Sequence, residues 1–277
     1  MTSVPAPKLT LNNGVQIPQL GCGMFKVADA ETTVSVALAA GYRLIDAAAS
    51  YGNESGVGSA LAAAALDRSE FFVTSKVPNS AQGRSSTLRA FDETVSRLGL
   101  DFVDLYLIHW PVPAKDLYVE TWAALEEIYA SGRARAIGVS NFRAQDLDRL
   151  AQRAGVVPAV NQIELHPGFV QDELRSLHGL MGITTQAWSP LGRGSALLGQ
   201  PAVTSIARAI GRTPAQVVIR WHVEENHALI PKSTNASRLA ENLDVFDFQL
   251  SPEDHAALSR LTGPGRVGPD PDTFDLH

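Results

Sequence analysis

From Leu20 to Ile230 the chain repeats one pattern: a short apolar run, a polar stretch, then a longer segment whose apolar residues recur at helical spacing. The apolar runs are Leu20 to Gly23, Arg43 to Asp46, Phe71 to Ser75, Phe102 to His109, Ala134 to Val139, Ala159 to Ile163, Ile183 to Ala187 and Ala228 to Ile230. Helical patterns stand behind several of them, at Asp29 to Ala40, Ser55 to Leu66, Ser85 to Leu98, Glu120 to Ala130 and Pro214 to Glu224. A strand with one wet face alternates apolar and polar residues, whereas a strand covered on both faces does not. Parallel pairing needs a crossover of about a dozen residues or more, usually a helix. Eight such units in about 250 residues favour an α/β fold whose sheet closes into a (β/α)8, or TIM, barrel over an open doubly wound sheet.

Ahead of the repeat, Lys8 to Leu11 and Val15 to Pro18 flank Asn12-Asn13-Gly14, and Asn-Gly supplies the positive φ of a tight turn. An N-terminal β-hairpin is therefore expected, plugging one mouth of the barrel. Additional helices over Ala202 to Ile210 and Pro252 to Leu261 exceed a minimal barrel. No linker interrupts the chain before a Pro/Gly-rich tail from 263, so residues 1–277 are expected to form a single domain. A net charge of -6 leaves no basic surplus for nucleic acid. Cys22 is the one cysteine, which excludes an internal disulfide and suits a reducing compartment. With no signal-peptide pattern and no apolar run of membrane-spanning length, a soluble cytoplasmic protein without a membrane partner is expected.

In such a barrel, ligands meet the carboxyl ends of the strands. Those ends carry Asp46 and Tyr51, Lys76, His109 and Trp110, Ser140 and Asn141, Gln162, Trp188 and Ser189, and Lys232 with Ser233 and Thr234. Read blandly, Asp46 caps the next helix, Trp188 packs the rim, and Lys232 with Arg238 is a solvated face. The chemical reading is more coherent. A tyrosine hydroxyl near pKa 10 is a weak acid unless its anion is stabilised, and Lys76 is placed to do so. A buried lysine needs a counter-charge, for which Asp46 is the candidate. His109 could orient a carbonyl oxygen beside the hydroxyl. That assembly suits protonation of an oxygen as hydride reaches its carbon. Lys232 and Arg238 flank a helix start, a site that favours phosphate. His166, His178, His222, His227 and His255 are expected as caps or surface residues, and the five-residue spacing of His222 and His227 is poor for a metal site.

The run Gly41 to Gly58, with Asp46, Tyr51 and Asn53-Glu54, resembles the aldo-keto reductase signature. So do Leu107 to Pro111, Gly138 to Phe142, Asn161 to Pro167 and Ile230 to Ser233, and the resemblance is nearest to the bacterial diketogluconate-reductase-like branch. It implies a catalytic set of Asp46, Tyr51, Lys76 and His109, with Tyr51 as general acid and NADPH as hydride donor to a small carbonyl substrate. It further implies that Ser140, Asn141 and Gln162 hold the nicotinamide carboxamide and that Trp188 stacks on the ring. Ser189, Leu191 and Gly192 would follow the pyrophosphate. Lys232, Ser233, Thr234 and Arg238 would take the 2′-phosphate region, and Glu241 and Asn242 the adenine. No Gly-x-Gly-x-x-Gly follows a strand in dinucleotide-binding context, consistent with a different route for the cofactor. Ala47 stands where threonine is common, and Pro78 where many relatives carry a pocket tryptophan. Phe25, Tyr51, His109 and Trp110 remain as pocket walls, with the tail around Gly265 to Thr273 supplying the rest. A monomer is the family-level expectation. A regulatory cofactor-binding subunit, which would be expected to carry an N-terminal extension or an assembly surface, is one rival reading. A storage protein that merely keeps the fold is another, against which the complete catalytic set argues.

Overall fold

The computed structural model describes residues 6–194, 196–261 and 265–275. Of the tail expected from 263, residues 263, 264, 276 and 277 lie outside the described ones. Strands β1 (Lys8–Thr10) and β2 (Gln16–Pro18) form the antiparallel hairpin, with Leu9 opposite Ile17. Gly14 takes φ +85 in its turn. The Asn12 and Asn13 side-chain amides donate to Pro158 O and Arg135 O, which anchors the hairpin where two barrel strands begin. Leu11 and Ile17 then pack with Leu44, Phe72, Leu105, Ala136 and Val160 inside the barrel. The hairpin is thus the bottom of the barrel's own core.

The barrel strands are β3 (Cys22–Gly23), β4 (Leu44–Asp46), β5 (Phe72–Val77), β6 (Val103–Ile108), β7 (Ala134–Ser140), β8 (Val160–Glu164), β9 (Thr184–Trp188) and β10 (Ala228–Leu229). They pair in parallel in chain order. The ring closes where Leu20 bridges Leu229, with Gly21 N donating to Leu229 O at 2.9 Å and Leu229 N to Gln19 O at 2.8 Å. Helices α1 (Ala30–Ala40), α2 (Glu54–Ala63), α3 (Arg84–Leu98), α4 (Tyr118–Ala130), α5 (Ala144–Ala151) and α6 (Asp172–Met181) cover the outside. So do α7 (Pro201–Ile210), α8 (Pro214–Glu224), α9 (Ala236–Leu243) and α10 (Pro252–Ser259). The larger apolar cluster lies between strands and helices, and includes Val34, Ile45, Val73, Phe91, Tyr106 and Trp122. α2 and α3 approach so closely that a Cβ on Gly58 would lie 2.5 Å from Leu98 O. The additional helices α7 and α10 build a separate cluster with α8, from Val203, Ile206, Val217, Trp221 and Leu258. No described helix is long and apolar enough to cross a membrane.

Strands β5, β7, β8 and β9 end later than the apolar runs suggest. Lys76 lies inside β5, opposite Leu107, and Ser140, Glu164 and Trp188 are also ladder residues. Their side chains are polar, but the barrel supplies partners for them, so the ladder continues.

Candidate active site

Asp46 closes β4 and Lys76 sits near the end of the neighbouring β5, both buried. Lys76 Nζ lies 2.5 Å from Asp46 Oδ1, 3.0 Å from Ala47 O and 3.4 Å from the Tyr51 hydroxyl. Asp46 therefore does not cap the following helix. Burial alone would favour loss of the Lys76 proton, but the Asp46 charge and the hydrogen bonds to Asp46 and Tyr51 outweigh it, and its pKa stands above the ordinary lysine value. Tyr51 ends a one-turn 3-10 helix (Ala49–Tyr51), after which Gly52 turns the chain at φ 68. Burial raises the Tyr51 hydroxyl above its usual value, and the Lys76 ammonium pulls it only part of the way back. The net direction is opposite to the one sought for an acidified tyrosine, and it keeps the hydroxyl protonated at neutral pH. The His109 ring meets Tyr51 edge-on at 5.6 Å. Burial, with the Lys76 charge adding to it, holds His109 well below the ordinary imidazole range, so it is neutral. Its Nδ1 lies 3.1 Å from Ser50 Oγ.

The next strand ends connect to this group. Ser140 Oγ donates to Gln162 O at 2.9 Å. Asn141 adopts the left-handed φ of 63, which asparagine tolerates better than most residues. Its amide nitrogen donates to His109 O and Ser140 Oγ, each at 3.0 Å, while its Oδ1 accepts from Trp188 Nε1 at 2.8 Å. Gln162 Nε2 donates to Asp46 Oδ2 at 2.7 Å and to Gln186 Oε1 at 2.8 Å. Beyond Trp188, Ser189 takes φ 49 and its carbonyl accepts from Gly192 N at 2.9 Å. Leu191 beside it is half-buried.

Ile230 N donates to Ala187 O, which brings the end of β10 beside Trp188. Lys232, Thr234 and Arg238 are exposed there, while Ser233 is buried with its Oγ accepting from Asn235 N. Asn235 Oδ1 caps α9 by accepting from Arg238 N at 3.0 Å. Among the described residues, neither Lys232 nor Arg238 makes a salt bridge, so two cations stand unpaired at a helix N-terminus. Glu241 Oε1 accepts from the Thr213 hydroxyl at 2.8 Å, and Asn242 is buried nearby on α9. The amide and aromatic groups at one end and the unpaired cations at the other fit a nicotinamide dinucleotide carrying an extra phosphate.

Above Tyr51, Phe25 lies 5.3 Å away and is 47% exposed. The tail closes the other side. Phe274 stacks on Trp110 at 4.3 Å, and Trp110 lies 6.4 Å from Trp188. Glu164 accepts from Val267 N at 2.6 Å and Gly268 N at 2.9 Å, and Asp272 pairs with Arg143. Pro78 leads into a 3-10 turn (Asn79–Ala81). Sequence reasoning did not single out Ser50, Gln186, Phe274 or the contact of Glu164 with the tail. Gln186 was open to discovery, since it lies two residues before Trp188 and shares its strand face. The tail contacts had no local signal.

Four histidines differ from expectation. His166, His178, His222 and His227 are buried, not caps or surface groups. Two of them find clear partners between barrel and helices: His178 bridges Asn161 Nδ2 and Thr185 Oγ1 at 2.9 Å each, and His222 Nε2 lies 3.3 Å from Pro190 O, while His227 packs against the Trp221 and His222 rings. His255 is partly exposed and pairs with Glu224 at 2.6 Å. Among the described residues, no group of three His, Cys, Asp or Glu side chains could hold a metal ion.

Comparison with known proteins gives a consistent picture. The sequence model of the Aldo/keto reductase family matches residues 18–262. The chain is 52% identical over 273 residues to an aldo-keto reductase of Mycobacterium sp. (strain JLS), covering 98% of this chain and 99% of that one. It is 47% identical to morphine 6-dehydrogenase of Pseudomonas putida, over 98% of this chain and 96% of the other. Among solved structures, a variant of Gox0644 in complex with NADPH superposes with a TM-score of 0.93 at 46% identity, covering 98% of this chain and 99% of that one.

Proposed function

The chain belongs to the aldo/keto reductase family, and from that premise we propose that it is an NADPH-dependent carbonyl reductase. Its substrates in this reading are aldehydes, ketones or dicarbonyls, reduced to alcohols by one catalytic domain. Asp46, Tyr51, Lys76 and His109 form the catalytic set. The observation that carries the reading is Lys76 Nζ held between Asp46 Oδ1 at 2.5 Å and the Tyr51 hydroxyl at 3.4 Å, with Lys76 and Asp46 buried and Tyr51 partly so. NADPH, when bound, supplies the hydride. As negative charge develops on the carbonyl oxygen, Tyr51 passes its proton there and Lys76 stabilises the tyrosinate left behind. Asp46 keeps Lys76 charged. His109, being neutral, orients the carbonyl by hydrogen bonding and does not act as a cationic acid. Phe25, Trp110 and the tail exclude water around the reacting carbon.

Ser140, Asn141 and Gln162 are assigned to the carboxamide and Trp188 to the nicotinamide face. Ser189, Leu191 and Gly192 are assigned to the pyrophosphate, Lys232, Ser233, Thr234 and Arg238 to the 2′-phosphate, and Glu241 and Asn242 to the adenine. The motifs taken together resemble most the diketogluconate-reductase-like branch, and that branch is part of the reading. The single cysteine favours a reducing cytoplasm, and a monomer is part of the same reading.

Tyr51→Phe tests it. The variant keeps the ring and its packing on Phe25 and His109 but has no acid. NADPH is expected to bind with near wild-type affinity, while kcat for carbonyl reduction drops by at least about 100-fold. Wild-type kcat in Tyr51→Phe, with chemistry rate-limiting, would remove Tyr51 from the mechanism.

A further inference from the structure

Gln162 on β8 and Gln186 on β9 stand opposite one another in register, both buried in the barrel. A side-chain amide nitrogen carries two hydrogens. Both of those on Gln162 are engaged, one on Asp46 Oδ2 at 2.7 Å and the other on Gln186 Oε1 at 2.8 Å. The orientation of the amide is therefore set by its neighbours. Exchanging its oxygen and nitrogen would aim an oxygen at a carboxylate and at a second amide oxygen. Gln162 is left able to meet a ligand only through Oε1, as an acceptor, and that selects the amino end of a carboxamide.

Gln186 is costly where it stands. Its own Nε2 is buried and has no hydrogen-bond partner in the protein, a penalty comparable to a lost hydrogen bond. A methionine or leucine would fill the same space without that orphan. What an apolar residue would not supply is the acceptor for the second Gln162 hydrogen. We propose that Gln186 is a positioning residue, which fixes the Gln162 amide so that it offers an acceptor to the nicotinamide carboxamide while staying bound to Asp46. The inference rests on the reading of Gln162 as a carboxamide ligand.

Gln186→Met keeps the volume and removes the acceptor. By calorimetry, the Kd values of NADPH and NADH are both expected to rise about fivefold, the equivalent of one neutral hydrogen bond. The Kd of 2′,5′-ADP, which has the adenosine end and no nicotinamide, is expected to stay at the wild-type value. In a Gln162→Met background the second substitution is expected to add nothing, since Gln186 acts through Gln162. Unchanged NADPH binding in Gln186→Met, an equal loss for 2′,5′-ADP, or additive losses in the double variant each overturn the proposal. If wild type itself failed to bind NADPH, the functional reading would fall first, so the two failures are distinguishable. Should Gln186→Met not fold, a crystal structure of the wild-type NADPH complex decides. Gln162 Oε1 on the carboxamide nitrogen, with Nε2 still on Gln186, supports the proposal; Gln162 donating to the cofactor overturns it.

Discussion

Arg238 shows how a single side chain can be read from what it does not contact. It is exposed on the first turn of α9, its backbone N–H is taken by the Asn235 cap, and its guanidinium makes no salt bridge among the described residues. Most other arginines of this protein are paired: Arg97 with Glu54, Arg143 with Asp146, Arg212 with Asp244 and Asp247. An unpaired guanidinium at a helix N-terminus is suited to an anion, and a charge-assisted contact to phosphate contributes about 1.5–3 kcal/mol. Arg238→Ala is therefore expected to weaken NADPH by about tenfold or more and to leave NADH nearly unchanged. Cofactor titrations of wild type and variant check this. Equal losses for the two cofactors would unseat Arg238 from the 2′-phosphate. The contrast with Gln186→Met, where both cofactors lose alike, separates the two ends of the site.

At the scale of elements, the barrel strands were legible because each is an apolar run between polar segments, and a parallel sheet inside a barrel asks for nothing else. What was not legible follows from the same rule. The pattern breaks a strand at Lys76 or Glu164 because it has no knowledge of Asp46 across the ladder or of Val267 in the tail. It also does not delimit α6, where His178 is the one fully buried residue and the apolar stripe is thin. The tail is the clearest case: its place over the site depends on Glu164 taking two backbone N–H groups about 100 residues away in sequence. A Cβ at Gly268 would fall 2.2 Å from Trp188 Cη2, so the tail runs flush against that ring. Glu164→Gln replaces one carboxylate oxygen by an NH2 that faces an N–H donor. Hydrogen bonds to a charged acceptor contribute about 1.5–3 kcal/mol. Amide exchange at Val267 and Gly268 is therefore expected to accelerate at least about tenfold, with the barrel strands unaffected. Unchanged protection of those two amides would mean that Glu164 does not hold the tail.

Over the whole molecule, polar chemistry is confined to one end of an otherwise apolar barrel, with the hairpin closing the other. Buried carboxylates elsewhere are paired with arginines, Asp104 with Arg68 and Arg135 and Glu54 with Arg97, whereas the buried histidines stay neutral. Burial pushes His178 down to about 4 and His227 down to about 3, from an ordinary value of 6.5. The geometry at His178 agrees with a neutral ring: Asn161 Nδ2 points at its Nε2, so a proton there would face a donor. The sign follows from which state binds protons. Above about pH 7 neither the folded nor the unfolded chain protonates these rings, and their contribution is constant. As pH falls below 6.5 the unfolded chain takes up protons that the folded one refuses, so the folded state loses stability, by about 1.4 kcal/mol per pH unit for each such histidine. The loss from His178 levels off near pH 4 and that from His227 near pH 3. The free energy of unfolding, measured by urea titration, is expected to decline from about pH 6.5 downward. His178→Gln keeps an amide able to meet Asn161 or Thr185 and cannot titrate. Its decline between pH 6 and pH 4.5 is expected to be shallower than that of wild type by about 1.4 kcal/mol per pH unit. Identical slopes for the two proteins would show that His178 is already protonated in the folded barrel.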